Sequence, residues 1–210
     1  MIEKEITTNS NGADLSGTLC LPEENKRFPI VLMIAGSGPV DRDENMAGQQ
    51  INIFNTIAHH LVKEGFASLR YDKRGCGKSK GNFYKTGHFD LVNDAIHWFD
   101  ALQEQEFCEK IFVLGHSEGS IIAPQVGLKR ASAAGLILLS PFIDNIESIL
   151  IKQAAQLQKE FDAGGLFRKW LARMMGATVA SQRKLINKMN YPAASGRGIG
   201  PLKQLELLYM

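Results

Sequence analysis

Polar and apolar positions alternate over residues 3–9 and again over 13–21, and the two runs flank Asn9-Ser10-Asn11-Gly12. A period of two marks a half-buried strand, and Asn-Gly between two such runs supplies the positive backbone angles of a tight hairpin turn. An antiparallel pair is therefore predicted to open the chain. The pattern then changes: Phe28-Pro-Ile-Val-Leu-Met-Ile-Ala35 is apolar throughout and stops at Gly36, as expected of a strand covered on both faces.

Helical and strand patterns alternate from there, with helices about 49–64, 89–105 and 119–130 and strands 66–71, 110–116 and 134–140. Such an order reads as successive strand–helix–strand units, which predicts an α/β fold with a doubly wound, mostly parallel sheet. In the helix 89–105, Phe89, Val92, Ile96, Phe99 and Leu102 share one stripe, predicted to pack on the sheet, and Asp90, Asp94, Asp100 and Glu104 are predicted to face water. Beyond Pro141 no strand-like run follows; residues 146–190 carry apolar helical patterns broken at Gly164-Gly165 and Gly176. The organisation predicted is a core over 1–142, a helical cap or lid over 143–190 and a loose tail over 191–210, where small residues dominate.

Composition narrows the function classes. The 24 basic and 22 acidic residues are scattered, with no run of like charge that would make a nucleic-acid stripe. No segment approaches the ~18 consecutive apolar residues of a membrane span. Cys20, Cys76 and Cys108 are an odd number at wide spacing, which suits neither a disulfide framework nor a metal knuckle. Together with acidic residues where a signal peptide needs basic ones, this points to a reducing, cytoplasmic setting.

The chemistry concentrates in Ile111-Phe-Val-Leu114, Gly115-His-Ser-Glu-Gly119 and the apolar helix start that follows. A buried strand, a tight turn and a helix leave the turn's serine exposed at the top of the sheet, with small residues where strand and helix approach closely. Ser117 is the candidate nucleophile. Charge developing on an attacked carbonyl oxygen needs donors, commonly two backbone N–H groups. One candidate is Glu118, the residue after the nucleophile; the other is Ser37, in Gly36-Ser37-Gly38-Pro39 after the first buried strand.

Three blocks, Ala35-Gly-Ser-Gly-Pro-Val-Asp-Arg-Asp-Glu-Asn45, Leu69-Arg-Tyr-Asp-Lys-Arg-Gly-Cys-Gly-Lys-Ser79 and Gly115-His-Ser-Glu-Gly119, resemble in order and spacing a bacterial α/β-hydrolase group related to serine aminopeptidases and acyl esterases. The likeness spans about residues 13–142. It implies that the first block forms the oxyanion loop, that Tyr71, Asp72 and Arg74 order the turn after the next strand, and that the acid and histidine of a catalytic triad follow the cap.

Competing motifs fail on spacing. Gly77-Lys78-Ser79 has Asp72 where a phosphate-binding loop needs its first glycine, and Gly75-Cys-Gly77 has Lys80 at the sixth position of a dinucleotide fingerprint. His59 and His60 point about 100° apart on a helix and do not share one metal easily. No cofactor or metal is implied.

In this fold class the triad runs serine, acid, histidine along the chain. All five histidines, His59, His60, His88, His97 and His116, precede Ser117. His116 sits at a strand end that directs it away from the serine oxygen, and His88 reads as a cap or surface residue. Asp144 is a candidate acid, with the cap of helix 146–163 as the plainer reading. The expectation is a serine hydrolase of esters or amides working through an acyl-enzyme on Ser117, in a shortened chain that lacks the last strands and is inactive or turns over slowly at best. The alternative is a non-catalytic remnant that binds an acyl ligand or a protein partner. The apolar edge 134–140 is expected to favour self-association.

Overall fold

The computed structural model of the protein describes residues 1–46, 48–141, 146–165, 178–181 and 183–184. Asn11 and Gly12 turn the chain with φ of 49° and 83°, which joins β1 (Ile2–Ser10) to β2 (Ala13–Leu21) with Ser10 opposite Ala13. β2 pairs antiparallel with β4 (Ala67–Tyr71), and β3 (Phe28–Ile34), β5 (Cys108–His116) and β6 (Ala133–Leu139) run parallel to β4. The strand order is β1-β2-β4-β3-β5-β6. This is the doubly wound, mostly parallel sheet that the alternating pattern predicts, with its antiparallel hairpin at one edge.

Helices cover both faces. Val31, Met33 and Ala35 of the β3 segment pack with Phe54 and Ala58 of α1 (Ile53–Lys63), whereas Ile30, Leu32 and Ile34 point the other way, into a core shared with α2 (His88–Gln103) and α3 (Gly119–Lys129). The period of two explains this division: a strand covered on both faces must be apolar at every position.

Two departures from the pattern have local causes. α1 starts at Ile53 because the Asn45 side chain accepts from the N–H groups of Ile51 (2.7 Å) and Asn52 (2.9 Å), and Asn52 is left-handed at φ 53°. In α2 the buried face is Leu91, Val92, Ala95, Ile96, Trp98, Phe99 and Leu102, while Phe89 is exposed. Asp94, predicted to face water, is buried and ion-paired with Arg74. Charge alone places a carboxylate outside, but a guanidinium partner from the turn after β4 offsets its desolvation.

β6 is different. Leu136, Ile137 and Leu138 remain 36–44% exposed, and among the described residues the strand pairs only with β5.

The chain divides into two units, Met1–Phe142 and Ile143–Met210. Of the second, the structure describes α4 (Ile146–Ala163), where Gln158 accepts from the Val179 N–H at 3.0 Å, and a short stretch in which Thr178 donates to Ser181 at 2.9 Å. Asp144 and the tail 191–210 lie outside the described residues.

Candidate active site

Ser117 stands between β5 and α3 with φ of 50°, a left-handed conformation that a non-glycine residue holds only when its surroundings impose it. The surroundings are steric. A Cβ on Gly115 would overlap the Gly119 carbonyl, and one on Gly119 would overlap the Ile34 carbonyl, so both positions require glycine. The Ser117 N–H donates to Leu139 O at 3.0 Å, and Ser120 N–H donates to Ser117 O at 2.9 Å. These bonds pin the turn to β6 on one side and to the first turn of α3 on the other. The residue itself is half-buried, and among the described residues no side chain hydrogen-bonds its hydroxyl.

The loop after β3 lies directly against it. A Cβ on Gly36 would come 3.4 Å from Ser117 Cβ and 3.1 Å from His116 Nδ1. Charge, rather than steric fit, fixes this loop. Lys73 Nζ, buried, donates to Gly36 O, reaches Gly38 O at 3.5 Å and pairs with Glu118 Oε2 at 2.7 Å. Because C=O and N–H of a trans peptide point in opposite directions, anchoring Gly36 O on Lys73 sets the direction of the Ser37 N–H. From the other side, Glu44 Oε1 accepts from Gly36 N–H at 2.7 Å and lies 2.8 Å from His116 Nδ1. The N–H groups of Ser37 and Glu118 make no hydrogen bond among the described residues.

A second ionic layer holds the loop from below. Arg42 donates to Asp72 Oδ2 at 2.6 Å, to Thr18 at 2.6 Å and to Glu5 at 3.0 Å, and its own N–H donates to Asp72 Oδ1 at 2.8 Å. Asp72 also accepts from the Lys78 N–H at 2.8 Å, and its carboxylate fills the space that a Gly77 side chain would need. Ser79 donates to Asp72 O at 2.7 Å. The stretch that superficially suggests a phosphate loop is thus occupied by its own carboxylate. Burial works against ionising Glu5, but hydrogen bonds from Ser16, Lys78 and Arg42 outweigh it and hold that carboxyl at about 2. Tyr71 packs on Trp98 with ring centroids 5.8 Å apart, and Arg74 pairs with Asp94.

Among the described residues neither His116 nor His88 hydrogen-bonds Ser117. His116 directs Nδ1 to Glu44. His88, expected as a cap or surface residue, opens α2 but is only 4% exposed and receives the Gln125 amide at 2.8 Å on Nε2. Burial holds its pKa below the ordinary imidazole value, against an opposing pull from Glu118. A cleft of about 770 Å³ lined by Pro39, Asp41, Asn45, Cys76 and Gly77 borders the same loop but does not include Ser117.

Lys73, Glu44 and Arg42 are the residues that sequence reasoning missed. All three stand inside the blocks quoted above, but no local pattern shows that a lysine after one strand will meet a glutamate after another.

A parallel sheet with helices on both faces and a left-handed serine between strand and helix define the α/β-hydrolase class. The family described as serine aminopeptidase, S33, matches residues 47–190, and the chain belongs to it. Esterase EstD of Thermotoga maritima is 31% identical over 156 residues, 74% of this chain and 36% of that protein. Mouse monoglyceride lipase is 29% identical over 99 residues, 46% of this chain and 33% of its own length. The chain spans about a third of the length of these curated relatives. Among solved structures, a Pyrococcus furiosus esterase is similar with a TM-score of 0.60 at 21% identity, covering 90% of this chain and 66% of that one. Est1E from Butyrivibrio proteoclasticus, with ferulic acid bound, has a TM-score of 0.55 at 23% identity and covers 77% and 57%. These likenesses bear on the fold.

Proposed function

We propose that Ser117 is the nucleophile of an acyl-transfer site that cleaves carboxylic esters, with amides as the second substrate class. The N–H groups of Ser37 and Glu118 receive the oxyanion. The observation that carries this reading is the left-handed Ser117 held between two obligatory glycines, beside two N–H groups without backbone partners. In the reaction the serine oxygen bonds to the carbonyl carbon, the alcohol or amine leaves, and water then releases the acid.

His88 and His116 make no hydrogen bond to Ser117 among the described residues, their recorded partners being Gln125 and Glu44, and no histidine of the chain follows Ser117. An unassisted serine is a weak nucleophile. The 210 residues by themselves are therefore expected to hydrolyse p-nitrophenyl esters far below ordinary enzyme rates of about 1–10³ per second. A fluorophosphonate probe tests the site: slow labelling abolished by Ser117→Ala supports it. A folded, monodisperse sample that never labels favours the second reading, a non-catalytic hydrolase-like domain that binds an acyl ligand or a protein partner.

Three free, buried cysteines suit a reducing, cytoplasmic environment, and among the described residues no helix is long and apolar enough to cross a membrane. The exposed leucines and isoleucine of β6 favour self-association along that edge. Size-exclusion chromatography combined with hydrogen exchange tests it; a monomer whose 135–139 amides exchange freely counts against it.

A further inference from the structure

We propose that Glu3, Cys20 and His59 form a binding site for one divalent transition-metal ion of the zinc type, at the end of the sheet opposite Ser117. Strand pairing brings the residues together. Glu3 of β1 is opposite Cys20 of β2, and Cys20 is opposite Ser68 of β4; directly opposed residues project on the same face. α1 crosses that face and adds His59. One ligand atom from each of Glu3, Cys20 and His59 lies within 4.8 Å of the other two, and His59 Nε2 is 3.0 Å from Glu3 Oε1. Ligands about 2.0–2.3 Å from a tetrahedral zinc stand roughly 3.3–3.8 Å from one another, so small side-chain rotations admit the ion.

The location separates this cluster from the acyl-transfer site. Glu3 and Ser68 are near the starts of β1 and β4, which run parallel to each other and to β5, whereas Ser117 follows the end of β5. A thiolate, an imidazole and a carboxylate are the donor set of zinc and its spectroscopic substitute Co²⁺, not of calcium or magnesium.

Two buried polar atoms on the same face lack a partner, and the hydroxyl of the two is one that a metal-bound water could satisfy. Ser68 Oγ is fully buried without a hydrogen-bond partner, and so is Arg70 Nη1. Water in the fourth position of the ion would give the Ser68 hydroxyl its partner. Arg70 already holds Glu3 through Nη2 at 2.9 Å and is itself neutralised by Asp43 through Nε at 2.6 Å. It serves as the outer partner that orients a ligating carboxylate. Its positive charge does not exclude the ion: the Glu3 and Asp43 carboxylates and a Cys20 thiolate together balance Arg70 plus a divalent cation. A cysteine ligates as the thiolate, so binding must expel the Cys20 thiol proton. The ion would staple the β1–β2 hairpin to α1.

The test is Co²⁺ titration of the full, reduced chain carrying no histidine tag. One equivalent should bind with a thiolate-to-cobalt charge-transfer band, and Cys20→Ser should abolish the band. His59→Ala, at a half-exposed position that tolerates truncation, should weaken binding at least about tenfold. Zinc should raise the melting temperature of the wild-type chain and not that of His59→Ala. Circular dichroism establishes that each variant is folded; if Cys20→Ser is not, His59→Ala decides. A folded wild-type chain without the band overturns the proposal. So does a band that survives Cys20→Ser, which would place the sulfur at Cys76 or Cys108, or a His59→Ala variant that binds equally well.

Discussion

The turn carrying Ser117 and the loop carrying Ser37 meet at one site but are held by opposite means. The turn is fixed by exclusion, since Gly115 and Gly119 leave no room for any other residue. The loop is fixed by attraction, through Lys73, Glu44 and Arg42, whose partners come from five different segments. Exclusion is short-ranged and written in neighbouring residues, so the motif is compact. Attraction between charges acts across the fold, and its participants are scattered. The two regions should therefore fail differently: the turn by losing the fold, the loop by losing its orientation while the sheet survives.

Gly119→Ala should have the largest effect. The new methyl must overlap the Ile34 carbonyl at the end of the central strand β3, and neither a rotamer change nor a flexible neighbour can relieve a backbone clash. The expected loss exceeds about 4 kcal/mol, enough to prevent recovery of soluble protein. A soluble variant with a wild-type denaturation midpoint would show that strand and helix can separate, and that steric exclusion does not hold the turn.

Lys73→Met comes next. Removing the ammonium strands the Glu118 carboxylate, whose side chain is only 17% exposed, and releases two loop carbonyls. Breaking such a buried pair costs about 3 kcal/mol. The protein should still fold, with fluorophosphonate labelling lost out of proportion to stability because the Ser37 N–H no longer has a fixed direction. Glu44→Gln is milder. It keeps an acceptor for Gly36 N–H but loses the charge toward His116, so about 1 kcal/mol is expected by urea denaturation, with labelling again the more sensitive readout. If both variants label like wild type, the charges stabilise the loop without orienting it.

The same contrast explains what could be read in advance. The hairpin is legible because alternation and Asn11-Gly12 are local, and β3 because it is apolar on both faces. The turn at Ser117 is legible because its glycines adjoin it. The start of α1 is not, since Asn45 captures two N–H groups that helical periodicity ignores. Nor is the fate of the charged residues. Asp94 reads as solvent-facing until Arg74, 20 residues away, is placed beside it, and Lys73 meets Glu118 across 45 residues. Asp144 lies outside the described residues, so its candidacy as the acid rests on sequence position alone.

The smallest predicted effects are those of pH, which divide the charged framework into two steps. His88 is buried with Nδ1 unpartnered, and burial lowers its pKa from 6.5. Its neutral form is favoured by folding, so the unfolded chain binds the proton first. Stability should be full above 6.5 and decline as pH falls from there toward the lower, folded value. Glu5 acts further down. Its carboxyl is held at about 2 against an ordinary 4.5, so its contribution is present above 4.5 and disappears as pH falls through about 2. Glu3, also lowered by hydrogen bonds from His59 and Arg70 that overcome burial, shares this acid limb. Both carboxylates are about 40% exposed, so solvent screening keeps each contribution small. Urea midpoints measured with chelator from pH 8 to pH 3 should fall in two stages. His88→Gln should flatten only the stage just below 6.5, and Glu5→Gln only the acid limb. A wild-type midpoint that does not change between neutral pH and pH 5 would mean that His88 exchanges its proton freely, and that the α2–α3 contact it makes with Gln125 opens in solution.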